Sequence, residues 1–195
     1  MPDITARTGR YFISVAGESG AGKSEIAASI AEELVHAGKP TYVFAQDDYF
    51  VYPPKTNAAR REKDISWVGM QEVRLDLLNE HFATLRNGGS IIEKPLVVFN
   101  KDRITTEKPD LGKFEVFIAE GTYTTALNNL DCRVFIDRDL NDTRTDRKKR
   151  AREKQDDFLE QILLIEHNII SSQKKDADII IGKDYDAYRK EDYAR

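Results

Sequence analysis

A chain of 195 residues with 40% apolar and 33% charged side chains has enough material for one α/β domain and is too apolar to stay disordered. Its formal net charge of −4 lacks the basic excess of a general nucleic-acid binder, so no nucleic-acid partner is expected. No stretch approaches the ~20 apolar residues of a membrane span, and Met1 to Thr5 lack the basic and apolar regions of a signal peptide, which predicts no membrane partner and a cytoplasmic setting.

The first predicted strand is Tyr11 to Ala16. It runs into Gly17-Glu18-Ser19-Gly20-Ala21-Gly22-Lys23-Ser24, the pattern G-x-x-x-x-G-K-S between a strand and a helix. A phosphate group is bulky, dianionic and strongly hydrated, so binding it needs many donors at close range. Glycines let the backbone wrap around it with consecutive N–H groups pointing inward. The positive end of the following helix dipole adds to them. All eight residues are therefore candidate nucleotide contacts. Lys23 is expected to reach the β- and γ-phosphates and Ser24 to ligate Mg2+. The set of expected contacts stops at Ser24: position 25 holds no threonine that could extend it with a further hydroxyl, but Glu25.

The first predicted helix runs from about Gly22 to Ala37, with Ile26, Ile30 and Leu34 on one face and Gly38 as its stop. Strand two is Thr41 to Ala45, ending in Gln46-Asp47-Asp48. Pro53-Pro54 and the polar, basic residues through Lys63 read as a loop over the active site. A helix is predicted from about Gln71 to Arg86. Ile91-Ile92 and Leu96 to Phe99 read as short strands of an edge hairpin. Phe114 to Ala119 is a strongly apolar central strand ending in Glu120. Cys132 to Ile136 is the next, with the lone cysteine suited to core packing and to a reducing compartment. Asp142 to about Lys154 is a densely charged helix, Phe158 to about Ser171 an amphipathic one, and Ala177 to Ile181 the last strand. Alternation of strands and helices predicts a mostly parallel sheet of roughly five strands with helices on both faces.

In such sheets ligands bind beyond the carboxyl ends of the strands, and those ends here are acidic. Asp47 is the candidate to take a proton from an attacking hydroxyl, and Glu120 the candidate to help hold Mg2+. Asp137 and Asp139 read as helix caps. On the charged helix Arg144, Arg147 and Lys148 share one face, which suits a lid closing over phosphates. His36, His81 and His167 are scattered without ligand-like spacing. Trp67, Tyr49, Phe50 and Tyr52 either wall a planar substrate or pack beneath a loop. Asn100-Lys101-Asp102 resembles the guanine-reading N-K-x-D motif but has Arg103 where the aspartate belongs.

Taken together, these segments resemble the uridine kinase and phosphoribulokinase family of P-loop kinases over most of the chain. Gly17 to Ser24 is similar to the family's first motif, Gln46-Asp47-Asp48-Tyr49-Phe50 to its Q-D-S-F-Y or Q-D-D-F-F segment, and Ile118-Ala119-Glu120-Gly121 to its I-V-E-G. Arg144-x-x-Arg147-Lys148 resembles the R-x-x-R-R of the lid, and Ala177 to Ile181 the closing A-D-I-I-I strand. The resemblance implies a three-layer α/β P-loop kinase fold with a mostly parallel central sheet and a small helical lid. It implies one domain, 1–195, with a substrate insertion at about 48–103 and the lid at about 138–155.

It further implies transfer of the γ-phosphoryl group of ATP, with Mg2+, to a hydroxyl of a small metabolite, foremost a nucleoside. Asp47 is the implied base. Lys23, Arg144 and Arg147 would stabilise the transferring group, Ser24 and Glu120 would hold the metal, and Asp48, Tyr49, Trp67 and Arg103 would lie on the substrate side. Uridine kinases read the nucleoside with Y-D-F and a histidine in a hairpin; here Val97-Val98-Phe99-Asn100-Lys101-Asp102-Arg103 replaces that run. Uridine and cytidine are therefore expected to be poor substrates. Lys55, Arg60, Arg61, Lys101 and Arg103 point to an acceptor more anionic than uridine, or one read through its sugar hydroxyls. A kinase for a sugar, sugar phosphate or pantothenate-like acid, and a non-enzymatic nucleotide-dependent switch, stand as alternatives; homo-oligomerisation is left open.

Overall fold

Seven consecutive buried residues form strand β1, Tyr11–Gly17, and burial on both faces is what a strand flanked by parallel neighbours requires. In the computed structural model, which describes residues 4, 8–150 and 156–193 (for 149 and 150 the backbone alone), β1 lies between two such neighbours. These are β5, Val116–Glu120, and β6, Cys132–Ile136. With β2, Thr41–Ala45, β7, Ile179–Ile181, and β8, Ala187–Arg189, the sheet has the order β2-β5-β1-β6-β7-β8. Every pairing is parallel except β7 with β8. The sixth strand is an addition to the five expected. Ala187-Tyr188-Arg189 is too short and too polar to carry a strand pattern, and its pairing with β7 makes it one.

Alternate residues of each strand face opposite ways, so the sheet supports two cores. On one face Phe12, Phe44 and Phe117 meet Leu78, Phe82 and Leu85 of helix α3, Leu75–Arg86. Phe12 lies 5.3 Å from the Phe117 ring and 5.2 Å from the Phe82 ring. On the other face Ile13, Val15, Ile118 and Val134 meet Ala27 and Leu34 of helix α1, Lys23–His36. Cys132 belongs to this second core, where burial pushes its thiol up to about 11.

The expected loop at 53–63 is instead helix α2, Pro54–Lys63. Proline at the first helical position is preorganised for a helix start, and the residues after it are mostly good helix formers. The helix lacks an apolar stripe, and its buried residue is Asn57. The expected edge hairpin is a separate two-stranded sheet made of β3, Lys94–Val98, and β4, Arg103–Glu107. Ile91 makes only an isolated bridge with Asp110. Helix α4, expected as a lid, is described from Arg144 to Arg150; residues 142 and 143, expected to begin it, form a turn, and its expected continuation from 151 lies outside the described residues. Helix α5, Asp157–Ser171, starts at an Asp156 side chain that accepts from the Leu159 N–H. No helix among the described residues is long and apolar enough to cross a membrane.

The small hairpin is fastened at both ends. Asp48 accepts from the Val97 N–H at 3.0 Å and from Lys94 Nζ at 2.9 Å, and Lys94 also pairs with Glu107 at 2.8 Å. At the tip Asp102 accepts from the Lys55 N–H at 2.6 Å and from Thr56 Oγ1 at 3.0 Å, capping the first turn of α2. These contacts set the hairpin and α2 beside the carboxyl edge of the main sheet.

Candidate active site

Register brings the chemistry together. Glu120 at the end of β5 is level with Val15 of β1 and Ala45 of β2. The phosphate loop leaves β1 two residues beyond Val15, and Asp47 follows Ala45 in a short 3-10 turn, Gln46–Tyr49. That turn sits hard against the end of β5. Gln46 Oε1 accepts from the Tyr123 N–H at 2.7 Å, and a side chain at Gly121 would overlap the Gln46 side chain.

Within the loop Gly20 and Gly22 have φ of +81° and +95°, and Gly22 caps α1. L-residues avoid this region, which glycine enters freely. A Cβ on Gly20 would also come within 2.9 Å of Arg147 Cγ and 3.3 Å of Thr143 Cβ, so the start of α4 packs directly on the loop. Lys23 Nζ donates to the Glu18 carbonyl at 2.9 Å.

Ser24 Oγ donates to Glu120 Oε1 at 3.2 Å. Burial holds the Glu120 carboxyl above its ordinary range, with Lys23 pulling it down and Asp47 adding repulsion. Position 25 brings a carboxylate to this end of the site where a threonine would have brought a hydroxyl. Glu25 is exposed in the first turn of α1, and its charge adds to the rise at Glu120. The hydroxyl beside Glu120 is accordingly that of Ser24. A cation on Ser24 and Glu120 would relieve the Glu120 carboxylate. Two protein oxygens suit Mg2+, which keeps water and phosphate oxygens in its remaining positions. Among the described residues no three His, Cys, Asp or Glu side chains are placed to make an all-protein cage.

Beside the loop is a cleft of about 700 Å³. Ser19, Gly20, Asp47 and Arg147 line its phosphate side; α2 and α5 form the opposite walls through Lys55, Asn57, Arg61 and through Leu159, Ile162, Leu163, Glu166. Phe50 and Phe99 contribute aromatic surface. Arg147 is 8% exposed; its Nη2 donates to the Leu140 carbonyl at 2.8 Å and its Nη1 to Thr143 Oγ1. Arg144, expected beside it, lies outside this cleft and faces Glu160 at 3.4 Å on an exposed surface.

The four residues expected on the substrate side do not line the cleft. Asp48 is spent on the hairpin. Tyr49 is fully buried, its hydroxyl sharing a hydrogen bond with His81 Nδ1 at 2.9 Å, and burial raises its pKa. Trp67 Nε1 donates to Asn57 Oδ1 at 2.9 Å, and its ring packs 5.6 Å from Tyr52 under Arg60. Arg103 is exposed on β4. The anticipated basic wall is correspondingly thin. Arg60 is near Asp64, Lys101 and Arg103 are exposed, and only Lys55 and Arg61 of that group reach the cleft. Neither Asp139 nor Asp137 caps a helix directly: Asp139 accepts from the Asn141 and Asp142 N–H groups in the turn that leads to α4, and Asp137 takes Lys174 and Tyr193.

One contact has no signal in the sequence. His167 Nδ1 of α5 lies 2.5 Å from Glu18 Oε1 in the phosphate loop. Burial pushes the Glu18 carboxyl up against the pull of His167 and Arg147. Helix α5 is thereby joined to the phosphate loop.

A mostly parallel sheet whose first strand feeds a glycine-rich phosphate loop, with an acid beside it and a cationic helix over it, defines the P-loop kinase class. Residues 12–186 match the phosphoribulokinase / uridine kinase family, and the chain belongs to it. It is 26% identical over 193 residues to a bifunctional alpha-galactosidase/sucrose kinase, AgaSK, of Mediterraneibacter gnavus; the match covers 92% of this chain and spans 21% of that protein's length. Its fold is similar to a putative fructose transport system kinase from Silicibacter sp. TM1040, with TM-score 0.66, 17% identity and coverage of 86% and 87% of the two chains. It is also similar to phosphoribulokinase from Rhodobacter spheroides, with TM-score 0.69, 14% identity and coverage of 89% and 70%.

The loop assignment has a direct check. Wild type at Mg-ATP about 100 times its Kd should gain about 2.7 kcal/mol, roughly 5–10 °C in melting temperature for a chain of this size. Lys23→Ala should abolish most of that gain while leaving the nucleotide-free melting temperature nearly unchanged. A full ATP-induced shift in the variant rejects the assignment.

Proposed function

We propose that this protein transfers the γ-phosphoryl group of ATP to a hydroxyl of a small polyhydroxylated metabolite, a sugar or polyol ahead of a nucleoside. The observation that carries the reading is Asp47 on the wall of a cleft shared by the phosphate loop and a separate acceptor compartment. Asp47 takes the proton of the attacking hydroxyl as its oxygen bonds to the γ-phosphorus and the bond to the β–γ bridging oxygen breaks. Lys23 and Arg147 face the charge that gathers on the transferring oxygens. Ser24 and Glu120 are the residues to hold Mg2+, which neutralises phosphate charge.

Two features favour a sugar over a nucleoside. Of the four aromatic candidates for the flat wall a base would need, Tyr49 is a core residue and Trp67 packs on Tyr52 behind α2, which leaves Phe50, with Phe99, as the aromatic surface of the cleft. The hairpin residues Val97 to Arg103 lack the Tyr, Asp and His with which uridine kinases are expected to read the base. The sucrose kinase and fructose-system kinase among the similar proteins fit the same reading.

ADP release measured against sugars, polyols and nucleosides tests it. Multiple turnover that depends on an added sugar or polyol is the expected result. ADP release indifferent to every acceptor would instead indicate a nucleotide-driven switch. A uridine kcat/KM above ~10⁵ M⁻¹s⁻¹, an ordinary enzyme value, would restore the nucleoside.

A further inference from the structure

The phosphate loop carries a carboxylate of its own. Glu18 is the second residue of the loop, and its carbonyl is part of the loop's frame, accepting from the Ala21 N–H at 3.1 Å and from Lys23 Nζ at 2.9 Å. A negative side chain at this point works against a loop that must hold a polyanion. Like charges a few ångströms apart repel far more strongly at a protein surface than in bulk water.

The fold turns that side chain aside. Ser19 and Gly20, the next two residues, line the cleft, whereas Glu18 does not. Its side chain, 9% exposed, meets His167 of α5 instead, with 2.5 Å between Oε1 and Nδ1. With a proton on Nδ1, His167 donates to Glu18 and fixes the direction of the carboxylate. Burial raises the pKa of Glu18, His167 and Arg147 oppose the rise, and Asp139 adds to it. The carboxylate therefore stands within electrostatic range of Arg147, and it belongs to the residue whose carbonyl Lys23 touches. His167 itself is only half-buried and belongs to neither hydrophobic core, so it contributes little to packing.

Cutting this tether would free a charge beside the nucleotide site. An untethered Glu18 carboxylate can swing toward the phosphates and repel them. It can also pair with Lys23 or Arg147 and occupy the cations that phosphates need. Both effects weaken nucleotide binding, and both require the charge on Glu18.

We propose that His167 is a positioning residue of the nucleotide site: by holding Glu18 against α5, it keeps the loop's own carboxylate off the phosphates and off the cations that bind them. This role deepens the kinase reading above and rests on its nucleotide half, not on the choice of acceptor.

Calorimetry with Mg2+ and the non-hydrolysable ATP analogue AMP-PNP provides the test. His167→Ala should weaken binding by about 10-fold. His167→Asn, whose amide N–H takes the place of Nδ1–H, should stay within about threefold of wild type. On a Glu18→Gln background, His167→Ala should cost less than about threefold, because the charge it would release is gone. A residue that merely props α5 would show the same loss on both backgrounds. The nucleotide-free melting temperature is the folding control. If His167→Ala does not fold, His167→Gln replaces it: its amide nitrogen takes the place of Nε2 and not of Nδ1, so the same weakening and the same background dependence are expected. If Glu18→Gln alone abolishes binding, the contrast between His167→Ala and His167→Asn decides. Unchanged affinity in His167→Ala, an equal loss on both backgrounds, or no recovery in His167→Asn overturns the inference and leaves the kinase reading standing. Absence of AMP-PNP binding by wild type removes the nucleotide site and this inference with it.

Discussion

Asp47→Asn should lower turnover by ~10²-fold or more and leave Mg-ATP affinity near the wild-type value. Asparagine keeps the size of the side chain and its place in the turn after β2, but it cannot accept a proton. Asp47 stands on the cleft wall, exposed to an incoming hydroxyl, and close enough to Glu120 for its charge to raise that carboxyl. Its neighbour supplies the control. Asp48 points the other way, onto Lys94 and the Val97 N–H, and Lys94 is 4% exposed. Asp48→Asn should therefore act on the hairpin, lowering stability by about 1–3 kcal/mol, with a smaller effect on kcat. Steady-state kinetics together with calorimetric ATP binding separate the two. Near-normal turnover in the Asp47 variant with a collapse in the Asp48 variant would move the base one residue along.

The division between Asp47 and Asp48 illustrates what the sequence could and could not reveal. The phosphate loop was legible because its constraints are local: a strand, glycines at fixed spacing and a helix start occupy one stretch of chain. Glu120 was legible because a long apolar run ended in an acid. The direction of a side chain in the turn that follows β2 was not. Residues 47 to 49 are consecutive, yet one faces the cleft, one the hairpin and one the core, where Tyr49 meets His81, 32 residues away.

Helix α2 was hidden for a different reason. Amphipathic periodicity is the usual helix signal, and this helix buries an asparagine and partly buries an arginine instead of an apolar stripe. What offsets the burial of Arg61 is Glu72 and Glu166, 11 and 105 residues distant, so the partners of this basic segment could not be read from the segment alone. The Glu18–His167 contact spans 149 residues and is illegible on the same ground.

Arg144 and Arg147 looked equivalent on a helical face, and the fold separates them, which leads to an unequal pair of effects. Arg147→Ala should reduce kcat by ~10²-fold, within the range for removing a cation from a developing phosphoryl charge. Arg144→Ala should change it less than about threefold, since exposed ion pairs are worth roughly 0–1 kcal/mol. Three residues along a helix rotate a side chain by about 60° from its partner, enough to place one over Gly20 and leave the other in solvent against Glu160. Because Arg147 is also buried and bonded to Leu140 and Thr143, part of its loss would be mechanical. Arg147→Lys addresses this: it keeps the stem and the charge but not the planar fork. If the charge is what counts, the lysine variant should recover a substantial part of kcat while its melting temperature stays near that of Arg147→Ala. If the fork's packing is what counts, turnover and melting temperature should fall together in both variants. Unchanged turnover in Arg147→Ala, or an equal fall in Arg144→Ala, would return this helix to an ordinary solvated surface.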